Sequence, residues 1–194
     1  MKKIIILTAL IAFTATATAQ VKFGARLGGG LGSVSKDIHA DRYEGQGTGK
    51  HGNFSTYYGG FTMEVPASEK WLLDIELNYI FLGVVGEGST ILHNVNVPVA
   101  VKYDISSFRP KVGLYASYIP AVTSFEDEQH SLTKNDLKKF DYGATFGLEY
   151  NFTEKFYIEA NFNLGLANLL KEDSRHSSDY LRNRTLFLGI GYRF

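Results

Sequence analysis

Five histidines, His39, His51, His93, His130 and His176, are the side chains in this chain best suited to chemistry, because each has carboxylates nearby in sequence. Asp37, Asp41 and Glu44 accompany the first two, and Glu87 stands ahead of His93. Glu126, Asp127 and Glu128 precede His130, while Glu172, Asp173 and Asp179 surround His176. Imidazole and carboxylate are ligands for a divalent metal, so bringing these segments together in space would build a metal site. No pair has the spacing that places two ligands on one helix face or across one hairpin, and polar connections produce the same composition. The expectation is no metal.

Nucleophile chemistry fares no better. His176-Ser177-Ser178-Asp179 holds the residue types of a hydrolytic triad, but contiguous residues cannot face one another as nucleophile, base and orienting acid must. Ser89 with His93 is a weaker pair. The run Gly28-Gly29-Gly30-Leu31-Gly32 has the glycine density of a phosphate loop, yet such a loop needs a helix N-terminus behind it. Here the run lies within a strand-like segment, where glycine eases curvature or close packing. Gly45-Gln-Gly-Thr-Gly-Lys-His-Gly52 reads as a flexible loop tip. No enzyme and no cofactor are expected.

The elements that must position these residues are strands. Trp71 to Phe81 puts Trp71, Leu73, Ile75, Leu77, Tyr79 and Phe81 on one face and Asp74, Glu76 and Asn78 on the other, a period of two. Tyr142 to Phe152 and Phe156 to Leu166 alternate the same way. Five further segments complete a set of eight: Val21 to Val34, Phe54 to Val65, Ile91 to Tyr103, Lys111 to Val122 and Arg184 to Phe194. Pro98 interrupts its segment, and a proline inside a ladder signals a bulge.

Connections alternate in length. Residues 66–70, 104–110 and 153–155 are brief; 35–53, 83–90, 123–139 and 168–183 are long and polar. Short turns at one end and long loops at the other mark the bacterial outer-membrane barrel, with short turns and both termini on the periplasmic side. The expected fold is therefore all-β, an eight-stranded antiparallel up-and-down transmembrane β-barrel.

Residues 1–19 stand apart. Lys2 and Lys3 lead into an apolar run from Ile4 to Phe13, then small residues ending Ala17-Thr18-Ala19, the pattern of a cleaved secretory signal. The run is too short for a membrane helix. Residues 20–194 form one barrel domain. Cysteine is absent, which excludes disulfides and an anchor on an N-terminal cysteine. Twenty basic residues balance twenty acidic ones, so net charge gives no reason to expect nucleic acid as a partner. Fourteen Phe, twelve Tyr and twenty Gly with a mean hydropathy of −0.10 suit strands that alternate in character.

Volume decides which face is outside. An eight-stranded barrel has an interior just wide enough for side chains to fill, and the large apolar set would overfill it. The small and polar set belongs inside, the apolar set against lipid. Trp71, Tyr103, Phe108, Tyr150, Phe156, Tyr192 and Phe194 then gather near the short turns as a periplasmic aromatic girdle. The same parity turns Lys22, Arg26, Lys102, Lys111 and Arg193 inward with Glu64, Asp74, Glu76, Glu149 and Glu159. Charges buried together must pair, and a network of such pairs plugs the lumen.

The chain resembles the outer-membrane β-barrel domain family common in Bacteroidetes, often labelled porin-like and including a barrel associated with type IX secretion. The resemblance is carried by Asn94-Val-Asn-Val-Pro-Val-Ala-Val-Lys-Tyr103, Arg109-Pro-Lys-Val-Gly-Leu-Tyr115, Asp141-Tyr-Gly-Ala-Thr-Phe-Gly-Leu-Glu-Tyr150 and Asn183-Arg-Thr-Leu-Phe-Leu-Gly-Ile-Gly-Tyr-Arg-Phe194. It spans nearly all of the mature chain. Phe194, ending the alternation of Leu186, Leu188, Ile190 and Tyr192, is similar to the C-terminal signal read by barrel-assembly machinery. The resemblance implies fold and location but no single activity.

The functional expectation is a monomeric, non-enzymatic outer-membrane protein, surface-interacting or secretion-associated, in contact with outer-membrane lipids. Its partner would be met through loops 35–53, 83–90, 123–139 and 168–183. A narrow porin-like channel is the alternative, and a lipid-modifying enzyme a third.

Overall fold

The computed structural model describes residues 21–37, 52–84, 90–124, 138–168 and 180–194. The expected export signal lies outside them, as do His39, His51, Ser89, His130, the His176 to Asp179 run and most of the long connections. The described residues form eight strands in chain order: β1 (Lys22–Asp37), β2 (Gly52–Pro66), β3 (Trp71–Val84), β4 (Thr90–Tyr103), β5 (Phe108–Ser124), β6 (Phe140–Asn151), β7 (Phe156–Gly165) and β8 (Tyr180–Arg193). Each pairs antiparallel with its sequence neighbours, and β8 pairs with β1 to close the barrel.

Alternation in the sequence dictates this arrangement because a closed sheet leaves no edge and gives each strand one outer and one inner face. Several strands run further toward the long connections than periodicity indicates. β1 has 16 residues and β5 has 17, against the roughly 9–11 that a tilted strand needs to cross a bilayer. The excess carries the barrel wall beyond the membrane.

The expected bulge at Pro98 is not where the ladder breaks. Pro98 pairs with Tyr115 in an unbroken register from Val95↔Tyr118 to Lys102↔Lys111. Between β3 and β4 the pairs opposite Glu76 and Leu77 are missing, but the register is the same on either side. The shift falls instead between His93↔Ala121 and Val95↔Tyr118, so that Asn94 faces both Ile119 and Pro120. Pro120 is the proline at the bulge. One extra residue there resets the parity of β5, so Ala121 and Thr123 are exposed where the earlier phase would turn them inward.

The short connections have their own chemistry. Thr153 Oγ1 accepts hydrogen bonds from the backbone N–H of Lys155 and Phe156 at 3.2 and 2.9 Å, which holds the β6–β7 turn. Between β4 and β5, Ile105 and Phe108 exchange backbone hydrogen bonds of 2.8 and 3.1 Å around Ser106-Ser107, and Ser106 takes a positive φ of 59°. Glycine is the usual residue at that turn position.

Inside, the polar lower part gives way to an apolar cluster toward the long connections: Tyr58, Ile80, Leu82 and Phe187, with Leu92 against them. The lumen is therefore less uniformly polar than expected. Bulky residues fit because inward positions of β1 and β8 are glycine. A Cβ at Gly28 would lie 2.7 Å from the Tyr58 ring, and one at Gly189 would meet the Tyr58 hydroxyl.

Candidate functional site

Charged side chains converge in the half of the lumen nearer the short turns, and they form two storeys. In the lower storey, Lys102 of β4 reaches Glu64 of β2 at 2.7 Å, Glu149 of β6 at 3.0 Å and Asp74 of β3 at 3.1 Å. Arg193 of β8 binds Glu64 through Nε at 2.9 Å and Nη2 at 3.0 Å, pairs with Glu149, and donates from Nη1 to the Asn151 side chain at 2.7 Å. Its guanidinium lies 4.2 Å from the centre of the Tyr157 ring.

The upper storey centres on Glu76 of β3. Arg26 of β1 and Lys111 of β5 both pair with it, the latter at 2.5 Å. Arg26 also binds Glu159 of β7 at 2.8 Å, and Tyr58 donates its hydroxyl proton to the same carboxylate at 2.6 Å. Asp74 joins the storeys: it lies 3.1 Å from Lys102 and 3.6 Å from Lys111, and accepts a hydrogen bond from Thr62 at 2.6 Å. Nine of the ten expected lumen charges are thus in mutual contact.

Lys22 is the tenth and stands apart. It is half-buried at the strand end, in register with Glu64, but that carboxylate is taken by Lys102 and Arg193. Among the described residues Lys22 has no ion-pair partner. Arg109 fills the remaining cationic place, 3.6 Å from Glu64 and 3.5 Å from Glu149, and held by Asp104 at 2.7 Å. Sequence reasoning missed it by starting the strand at Lys111; carrying the alternation two residues back would have turned Arg109 inward.

Five cations, Arg26, Lys102, Arg109, Lys111 and Arg193, therefore face five carboxylates, Glu64, Asp74, Glu76, Glu149 and Glu159. All but Arg109 are buried. Burial of this kind is tolerated only where each charge has opposite charges around it. Above the network lies a cavity of about 10 Å³ lined by Arg26, Asn78, Asn96, Asn161 and their neighbours, close to the room that one water needs. Among the described residues, no group of three or more His, Cys, Asp or Glu side chains could hold a metal.

The outer wall is apolar. Near the short turns, Trp71 packs on Tyr103 at 4.6 Å, Phe108 on Tyr150 at 4.9 Å and Phe156 on Tyr192 at 4.8 Å, with Phe194 beside Tyr192 at 5.7 Å. Each of the three cross-strand pairs joins strands that long connections link at the opposite end. Phe152, against Tyr150 at 5.1 Å, belongs with them.

Aromatics do not gather at that end alone. Tyr79 packs on Phe81 at 5.0 Å and Tyr118 on Phe140 at 5.1 Å, while Tyr57 and Tyr142 are exposed at a similar level. From Trp71 to Phe81 the rise is about 25 Å, taking roughly 3.3 Å per residue and a tilt near 40°. Two belts that far apart bracket the apolar thickness of an outer-membrane barrel. His93 sits in the upper belt, its Nδ1 2.9 Å from the Tyr79 hydroxyl and its Nε2 3.3 Å from Thr123 Oγ1, its ring against Phe81. Both ring nitrogens are engaged by the wall itself.

A closed antiparallel barrel, apolar outside and charge-paired inside, with aromatic belts at two levels, defines an outer-membrane barrel protein. The chain belongs to the outer membrane protein beta-barrel domain family, which matches residues 5–194, and its strands are transmembrane. Among solved structures it is similar to the crystal structure of Neisserial surface protein A, at 13% identity and a TM-score of 0.57, covering 89% of this chain and 97% of that one. Ail of Yersinia pestis, solved with the heparin analogue sucrose octasulfate, matches at 15% identity and a TM-score of 0.47 over 90% and 99%. OprG of Pseudomonas aeruginosa matches at 17% and 0.42 over 88% and 95%. At 13% identity the first of these speaks for the fold alone. No curated protein matches the chain.

Proposed function

We propose that this outer-membrane barrel is a non-conducting, non-enzymatic anchor whose working surfaces are its lipid-facing wall and the connections 35–53, 83–90, 123–139 and 168–183. The observation that carries this reading is the lumen: cations from four strands and carboxylates from the other four meet across it in two storeys. An ion in transit would have to break buried pairs whose partners then stand uncompensated. Above them, Tyr58, Ile80, Leu82 and Phe187 fill the section.

Planar bilayers test this directly. Wild-type barrel should give no steady single-channel current, and Arg26→Ala with Glu76→Ala should still give none, because the lower storey and the Tyr58 to Phe187 cluster remain across the section. A steady wild-type current overturns the closed lumen in favour of a narrow channel. The enzymatic alternative predicts a changed mass spectrum of envelope lipids on deletion; an unchanged spectrum supports the non-enzymatic reading.

Export through the signal in residues 1–19 leaves a monomer with both termini in the periplasm. Phe194 N–H donates to Phe23 O at 2.9 Å, so both chain ends share the short-turn end, as an even number of strands requires. Protease added to intact cells should then cut the long connections and spare a C-terminal tag. The partner is an extracellular or envelope component, and a secretion-associated role is the narrower form, supported by the resemblance in Asn94 to Tyr103 and Asn183 to Phe194. Lost secretion on deletion would support it.

A further inference from the structure

The outer wall carries a second feature that the anchor role does not use. Among the described side chains that point outward from the strands, Arg182 and Arg184 of β8 are the only Asp, Glu, Lys or Arg residues. Both are exposed. They lie on the face of β8 that continues through Leu186, Leu188 and Ile190 to Tyr192 in the short-turn belt. At roughly 3.3 Å per residue and a tilt near 40°, they stand about 20–25 Å from Tyr192, at the level of the second aromatic belt. Arginine on a lipid-facing wall is costly at mid-depth and inexpensive at the interface. The pair occupies the height where phosphate groups begin.

This stretch of wall also differs from the rest below that level. On β2 to β6 the upper belt is aromatic or histidine: Tyr57, Tyr79, Phe81, His93, Tyr118, Phe140 and Tyr142. On β7, β8 and β1 it is Leu164, Leu166, the two arginines and Leu31. Directly beneath, Leu188 is flanked in register by Gly29 of β1 and Ala160 of β7, and Ala25 stands opposite Tyr192. Small outward residues on both sides leave Leu188 62% exposed, standing proud of an apolar wall. The rows Leu31, Leu186, Phe162 above it and Leu27, Ile190, Ile158 below it continue that apolar wall down from the arginines along the direction of the acyl chains.

We propose that Arg182 and Arg184, above the apolar wall of β7, β8 and β1, are a docking site for a net-anionic, phosphate-bearing lipid of the outer leaflet. Residues two apart on one strand face place their Cα atoms about 7 Å from each other, so two guanidinium forks can grip one phosphate bidentately or span two. The apolar wall below receives the chain that hangs from the headgroup. The proposal rests on the transmembrane wall and on the long connections facing outward, but its test reads lipid choice separately from insertion.

Wild-type barrel is reconstituted into phosphatidylcholine vesicles containing trace spin-labelled phosphatidylglycerol or spin-labelled phosphatidylcholine, and the motionally restricted fraction is compared. Wild type should select phosphatidylglycerol on the order of fivefold, a preference that fades as salt rises. Arg182→Gln with Arg184→Gln should bring the ratio near one, and Arg184→Lys should retain part of it. Arg182 has a contact of its own, so Arg184→Gln alone is the second variant and should also lower the ratio. Insertion is followed by the boiling-dependent gel shift. An inserted wild-type barrel with no lipid preference, or a preference unchanged in the double variant, overturns the site; the second result would place the lipid selectivity elsewhere on the wall.

Discussion

Arg193 of β8 and Glu64 of β2 form a bidentate pair, at 2.9 and 3.0 Å, although β1 lies between their strands in the sheet. The contact crosses the closing seam through the lumen, so it exists only when β1 has paired on both sides. Glu64→Ala would leave Arg193 and Lys102 short of a partner they share. The expected loss is about 3–5 kcal/mol of unfolding free energy, read by urea unfolding in lipid vesicles. A double-mutant cycle with Arg193→Gln should give a coupling of about 1–3 kcal/mol; a coupling near zero would falsify the seam contact.

Leu114 is 67% exposed on the outer face of β5, between Phe108 and Tyr118. Near mid-depth in a bilayer, Leu114→Arg should cost about 2–4 kcal/mol, whereas on a water-facing wall it would stay within about 0.5 kcal/mol. Unfolding in vesicles distinguishes the two.

Tyr157 is almost wholly buried, and a Cβ at Gly191 would enter its ring. Gly191→Ala is therefore expected to destabilise by about 1–3 kcal/mol, lowering the midpoint of the boiling-dependent gel shift. Adding Tyr157→Leu should recover part of the loss from the clash while giving up the ring on which Arg193 rests. If Gly191→Ala leaves the midpoint in place, the close fit is not there.

Ser106, at φ 59°, occupies backbone space that costs a side-chain-bearing residue roughly 1–2 kcal/mol. Glycine removes that cost but adds freedom to the unfolded chain, so Ser106→Gly should gain about 0.5 kcal/mol and Ser106→Val should lose more than 1 kcal/mol. The order of the three unfolding midpoints is the check.

Parity along a strand tells which side a residue faces, and for β3, β6 and β7 it is nearly free of error in the sequence. The closed eight-stranded fold follows from it. Which cation meets which carboxylate does not, because Arg193 and Glu64 come from opposite ends of the chain and meet only after closure. Arg109 escapes the alternation because Pro110 beside it reads as a turn residue, although Pro110 pairs with Leu148 inside the ladder. The bulge went to Pro98 rather than Pro120 because a proline's effect depends on which neighbouring ladder needs its missing N–H. The upper aromatic belt is legible in the same alternation, since Phe81 and Tyr142 end their segments away from the short turns, but weight on the aromatics beside those turns draws attention to one end alone.

The distribution of the lumen charges over the strands has a geometric consequence. Cations come from β1, β4, β5 and β8 and carboxylates from β2, β3, β6 and β7, so each short turn joins two strands of like sign and each long connection joins opposites. In cross-section the interior is chiefly an electric quadrupole: four quadrants of alternating sign, each carrying two or three charges. Each quadrant is attracted by both of its neighbours. A strand inserted out of order would set two like quadrants side by side in a medium that screens them poorly, so the charge pattern itself selects the order in which the wall can close.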